Sequence, residues 1–134
     1  MTVMNVTFPG GKRVDATSGE FTIRTDQPTS EGGAGAAPDP FTLFLGSLAT
    51  CAGFYVLAFC DARGISKEAV RVRLRAEPDA RGHLEQVHLE IELPREFPEK
   101  YVDGVLRAAD TCKVRRALRQ PLTVDASVVR AAGG

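Results

Sequence analysis

The chain has 134 residues, of which 43% are hydrophobic and 25% charged, the balance of one ordinary globular domain and neither of a disordered nor of a fibrous chain. Seventeen Lys and Arg offset seventeen Asp and Glu, so no broad field gathers phosphate backbones or anionic lipid, and nucleic acid and membrane are set aside as partners. Residues 1–9 lack the apolar run of a secretory leader and no stretch reads as a membrane span, which points to the cytoplasm.

In chain order, apolar and polar residues alternate over residues 3–8 and 20–25, with Gly10-Gly11 and Ser18-Gly19 as breaks, and predict an antiparallel meander. Residues 26–39 (DQPTSEGGAGAAPD) carry breakers and little apolar weight, the composition of a loop. Residues 40–62 are apolar almost all the way round, Pro40 suits a first helical turn and Gly64 a stop, so a long buried helix is expected there. A helix apolar on every face needs cover on every face, and for a chain of this length a second copy is the natural cover. Residues 69–76 and 86–93 alternate strictly and predict a hairpin turning at 78–82. Helical spacing follows over 99–110 and again over 114–118, then residues 122–129 alternate as a last strand and residues 131–134 form a loose tail. The order β-β, long helix, β-β, helix pair, β is that of an α+β fold.

Three cysteines are an odd number in a domain large enough to fold unstapled, which suggests thiol chemistry or core packing rather than a disulfide framework. Cys51 stands eleven positions after Pro40, about three turns into the long helix, and Cys112 at the end of the second helix, in AADTCKVRRAL. By composition alone a cysteine in an apolar helix is a small core residue.

The stretch GGAGAAPDPFTLFLGSLATCAGFYVLAF, with its glycine-rich loop, helix-opening proline and cysteine eleven residues later, resembles the signature of the OsmC/Ohr family. The run TCKVRRAL resembles that family's second cysteine motif, and Gly10-Gly11-Lys12-Arg13 resembles the N-terminal Gly-Gly-Arg of its organic hydroperoxide resistance branch, offset by one residue. The resemblance implies a single OsmC-like domain over residues 1–134, with antiparallel sheets packed on a long buried central helix and a second helix, in an intertwined homodimer. It implies further that Cys51 is a peroxidatic thiolate, oxidised by an organic hydroperoxide, and that Cys112 resolves the sulfenic acid as a disulfide which an external dithiol reduces, with no cofactor. A free thiol is only a few per cent thiolate at neutral pH, and burial lowers that fraction. Cys51 lies too deep in its helix to feel the N-terminal dipole, so a cation is required. In the family an arginine supplies it, and Arg13 is the first candidate, with Arg24 behind it.

The family's acid, which orients that arginine, stands one or two positions after the helix-opening proline, where this chain has Phe41 and Thr42. Asp39 or Glu31 could substitute from the loop. The departure leaves open a second reading, a dimeric binding or stress-response protein of the same fold whose cysteines are simply packed. Cys60 follows Cys51 by nine residues, which turns it to the opposite side of the helix and makes it a core residue. The glycine loop lacks the Gly-Lys-Ser/Thr ending of a phosphate loop. His83 and His88 are too few and too scattered for a metal site. The basic run Lys113, Arg115, Arg116, Arg119 is a solvated helix face, placed to depress the pKa of Cys112. Phe44, Phe54 and Tyr55 could line a pocket or fill a core.

Overall fold

A computed structural model describes residues 1–132; Gly133 and Gly134, the end of the expected tail, lie outside the described residues. The N-terminal meander has three strands where two runs of alternation were expected: β1 (Asn5–Gly10), β2 (Arg13–Ser18) and β3 (Phe21–Thr25), paired antiparallel in that order. The unforeseen strand, β2, has sequence RVDATS. It is too poor in large apolar residues to announce itself, yet its Val and Thr suit extended backbone and it gains a neighbour on each side.

A loop carries the chain to α1 (Pro40–Ala62). Its organiser is Asp26, 1% exposed, whose carboxylate accepts the N–H groups of Gln27 at 2.7 Å and Ala36 at 3.0 Å. These bonds hold the acid below its usual pKa against the opposing effect of desolvation. Gly33 closes the loop on itself: a Cβ there would stand 2.0 Å from the carbonyl oxygen of Gln27, so no other residue fits. The glycines therefore serve a backbone fold-back around a buried carboxylate.

At the start of α1, Asp39 caps the helix by accepting the Thr42 N–H at 3.3 Å, and Pro40 occupies the first turn. The helix is not buried all round. Leu48, Ala52, Val56 and Cys60, four residues apart, form the stripe that enters the core, while Phe41, Phe54 and Leu57 stand exposed. Contrary to the expectation that no span is present, α1 is by length and composition sufficient to cross a membrane, with a mean hydropathy of 1.9. Its stripe in the core is the arrangement of a helix around which a domain is built.

The hairpin is formed by β4 (Arg71–Pro78) and β5 (Leu84–Glu92), with Val72 opposite Ile91 and Leu74 opposite Leu89. Its turn is fixed by Asp79, whose carboxylate accepts the N–H groups of Arg81 and His83. Val72, Leu89 and Ile91 join the core from one face of this sheet, Phe97, Val105 and Ala109 from the chain beyond it. The expected second helix opens as a single 3₁₀ turn at Glu99–Tyr101 and continues as α2 (Val102–Asp110), followed by the short α3 (Lys113–Ala117). Helix α2 packs on α1, and the contact is close because Gly104 lies over the Phe59 ring, where a Cβ would meet two ring carbons at 2.8 Å.

One expectation fails. Residues 122–129 pair in no sheet among the described residues, and Leu122, Val124, Val128 and Val129 are exposed. The three-stranded sheet has no substantial packing on α1 or the hairpin, leaving Val6, Phe8, Phe21 and Ile23 exposed. Alternation signals a strand that covers an apolar face, but the face to be covered is not supplied among the described residues.

Candidate functional site

Cys51 sits on α1 at the shoulder of the buried stripe, between Leu48 and Ala52, and is half-buried. Cys112 is fully buried in the bend between α2 and α3, where its N–H donates to the Ala109 carbonyl at 3.3 Å. Because α2 lies tightly on α1 and α3 also packs on α1, that bend brings the second cysteine to the first, close enough for each thiol to bear on the acidity of the other. Both cysteines are free thiols.

The two sulfurs together occupy the N-terminal end of α3. Cys112 is its N-cap: the sulfur accepts the Arg115 N–H at 3.4 Å, and the Cys112 carbonyl accepts the Arg116 N–H at 2.9 Å. The N–H groups of Val114 and Lys113 act on Cys51.

This arrangement splits the acidities of the pair. Burial pushes the Cys51 thiol up, but the hydrogen bond from Cys112, the N–H groups of Val114 and Lys113 and the charge of Arg116 outweigh it, and Cys51 titrates below an ordinary thiol. Cys112 is pushed above it, by burial first and then by the neighbouring Cys51. Of the two thiols, Cys51 is the more acidic. Cys60, also fully buried, is raised by burial and by the adjacent Asp61, in the core where the helical angle had put it.

The sequence reading aimed the basic run at Cys112, and there the structure differs. Arg116 bears on Cys51, Arg115 pairs with Asp110, and Arg119 donates to the Asp110 carbonyl at 3.2 Å. Within this chain the groups that lower the Cys51 pKa are the neighbouring thiol, two backbone N–H groups of α3 and Arg116. No residue-type signal announces a backbone donor, although a helix start immediately after a cysteine would have been the clue. Arg13 lies at the head of β2, opposite Gly10, with its charge bearing on Asp26; Arg24 lies opposite Asp15 on β3. Within one chain the structure gathers Cys51 and Cys112 and leaves both arginines in the separate sheet. Asp39 is engaged in capping α1, and Phe41 packs on Phe44 with ring centroids 5.7 Å apart.

Next to the pair is an apolar cavity of about 270 Å³, lined by Phe44 and Leu48 of α1, Leu89 and Ile91 of β5, Leu106 of α2 and Leu118, with Asp110 and Arg115 as polar members. Leu48 and Ala109, both in its wall, lie one helical turn from Cys51 and Cys112. Of the aromatic residues singled out in α1, Phe44 lines this cavity, whereas Phe54 and Tyr55 pair edge to face at 5.4 Å with Phe54 exposed.

Residues 32–127 match the family described as OsmC-like protein. No curated protein matches the sequence. Among solved structures, one from Psychrobacter arcticus described as an osmotic stress induced and detoxification response protein is 26% identical, with a TM-score of 0.72 over 87% of this chain and 88% of that one. An OsmC-like protein from Mycoplasma pneumoniae gives 15% identity and a TM-score of 0.69 over 89% and 87%. An organic hydroperoxide resistance protein from Legionella pneumophila gives 22% and 0.53 over 89% of both chains. The last two likenesses establish the fold, an antiparallel α+β arrangement.

Proposed function

The chain belongs to the OsmC-like protein family, and from that premise we propose that it acts as one domain, residues 1–134, in a cysteine-based reduction of organic hydroperoxides in the cytoplasm. The observation that carries the proposal is the bend between α2 and α3 that sets the buried Cys112 beside the half-buried Cys51, with the Cys51 thiol lowered and the Cys112 thiol raised. A low-pKa, half-exposed sulfur is the nucleophile, and a buried, protonated neighbour is held in reserve.

The Cys51 thiolate attacks the outer oxygen of ROOH. An S–O bond forms, the O–O bond breaks, and the alkoxide takes a proton to leave as ROH. Cys112, after surrendering its proton, attacks the resulting sulfenic sulfur; the S–S bond forms and the oxygen departs as water. An external dithiol returns both sulfurs to thiols by exchange. The apolar cavity one turn away is suited to the organic part of the hydroperoxide.

The working unit in this proposal is a homodimer. Its support is apolar surface on α1, on the three-stranded sheet and along residues 122–129 that one chain leaves open. Gly46 and Gly53 add to it, with nothing within 4 Å of where a Cβ would stand. Arg13 enters the mechanism through that second copy: docking its sheet on the partner's α1 would bring a guanidinium toward the thiol.

Phe41 and Thr42, in place of an acid, favour the second reading, a non-catalytic dimer of the same fold. Hydroperoxide loss with a small dithiol as reductant separates the two. Activity abolished in Cys51→Ser supports the enzyme, and equal slow loss in wild type and variant leaves only the non-catalytic reading.

A further inference from the structure

Asp110 is the last residue of α2, where the carbonyl end of the helix disfavours a negative charge. Its carboxylate pairs with Arg115, and its carbonyl accepts Arg119 Nη2 at 3.2 Å. Both arginines lie on or just past α3, so one residue at the end of α2 grips the following helix at two points. Between Asp110 and α3 lies Cys112, whose sulfur caps that helix; the first turn beyond it packs on α1 and its N–H groups at Lys113 and Val114 bear on Cys51. With five residues, α3 is too short to hold its own position by helix propensity.

We propose that Asp110 is a positioning residue for the thiol reaction: by clamping Arg115 and Arg119 it fixes the first turn of α3 against the Cys51 sulfur. An acid placed against its own helix dipole is thereby accounted for, because the local cost at α2 is offset by the orientation of α3. The inference rests on the reading of Cys51 as the reactive thiolate and adds a residue to it. The groups bearing on Cys51 are Cys112, the N–H groups of Val114 and Lys113, and Arg116; Asp110 is not among them and acts through α3.

The sign of the effect separates this role from a direct one. Removing a negative charge near a thiol lowers the thiol's pKa by simple electrostatics, whereas loosening the donors that hold the thiolate raises it. The experiment follows iodoacetamide alkylation of Cys51 against pH, with the modified peptide identified by mass spectrometry, in wild type, Asp110→Ala and the charge exchange Asp110→Arg with Arg115→Asp. Thermal unfolding serves as a parallel measure of folding. In Asp110→Ala the Cys51 midpoint is expected to rise by roughly 0.3–0.7 unit, a two- to fivefold loss of thiolate below the midpoint, the range an exposed ion pair can command. The unfolding temperature should be unchanged or higher, since alanine suits the end of α2, and the exchanged pair should recover most of the shift. A midpoint that stays or falls in Asp110→Ala overturns the positioning role while leaving the thiolate reading intact. A wild-type midpoint no lower than that of an ordinary thiol overturns the thiolate reading itself, and this inference with it.

Discussion

Replacing Gly104 by alanine tests whether the close contact of α2 on α1 sets the thiol pair. The new Cβ would stand 2.8 Å from two carbons of the Phe59 ring, against about 3.5–4.0 Å for a comfortable carbon contact, so something must yield by about 0.7 Å or more. The ring is not free to swing aside. The Arg63 guanidinium lies 3.6 Å over its centroid, and Tyr101 meets it edge to face at 5.9 Å. Alanine gains about 1 kcal/mol of helix propensity over glycine, while overpacking costs typically about 1–3 kcal/mol, which leaves a net loss of roughly 0–2 kcal/mol. For a domain of this length about 1 kcal/mol corresponds to some 3–4 °C. Unfolding should therefore begin up to about 7 °C lower, by calorimetry or circular dichroism. The same displacement moves Cys112 away from Cys51, so disulfide formation after a stoichiometric pulse of hydroperoxide, timed by acid quench and mass spectrometry, should slow. A variant about 3 °C more stable than wild type and unchanged in disulfide rate would refute the reasoning.

Cys51→Ser should abolish hydroperoxide turnover. Cys112→Ser should keep a single round and then accumulate sulfinic and sulfonic acid at Cys51, read as mass increments of the Cys51 peptide. Alkylation should reach its plateau at lower pH for Cys51 than for Cys112, in keeping with the depressed and elevated titrations of the pair; the reverse order would contradict the assignment of nucleophile. In stability the two thiols act in opposite senses. The lowered Cys51 contributes fully above an unfolded thiol's pKa and loses that contribution as pH falls through its folded value, whereas the raised Cys112 contributes below the unfolded pKa and loses it as pH rises through its own folded value. Chemical denaturation across this range should show the Cys51 contribution vanish in Cys51→Ser. Phe54→Asp and Phe21→Asp, each charging surface that one chain leaves bare, should shift the sedimentation of a dimer toward monomer, and a wild type that sediments as a stable monomer would remove the dimer.

Much of the architecture was legible in periodicity. The strict alternation of RVRLRA and the apolar run after Pro40 left little choice of element, and nine steps of helix were enough to turn Cys60 away from Cys51. What escaped was relational. β2 is a strand because it lies between two others, and nothing in Val14 to Ser18 says so alone. Residues 122–129 have a strand's pattern without a strand neighbour among the described residues, so the alternation was wrongly read as a pairing made. The site divides in the same way. The two cysteines were found by motif, but what splits their acidities is their closeness to each other, their burial and the backbone N–H groups of a five-residue helix, none of which has a residue type of its own. The missing acid at Phe41 and Thr42 drew attention to side-chain cations, while Asp26, the most constrained carboxylate of the loop, looked like any loop aspartate.

Helix α3 begins without serine, threonine, aspartate or asparagine at its cap, the residues that ordinarily hold a first turn, and uses sulfur instead. A hydroxyl or carboxylate cap is the same acceptor throughout the life of a protein. A sulfur cap is not: a thiolate is a strong acceptor, a thiol a weak one, and a disulfide sulfur is uncharged and confined by its own torsional geometry. Ordinary caps contribute about 0.5–2 kcal/mol, a large share of what a helix of five residues has to draw on. The order of residues 113–117 is consequently tied to the number of electrons on the sulfurs, and amide hydrogen exchange at Val114 to Arg116 would record the oxidation state of the pair as a change in backbone protection.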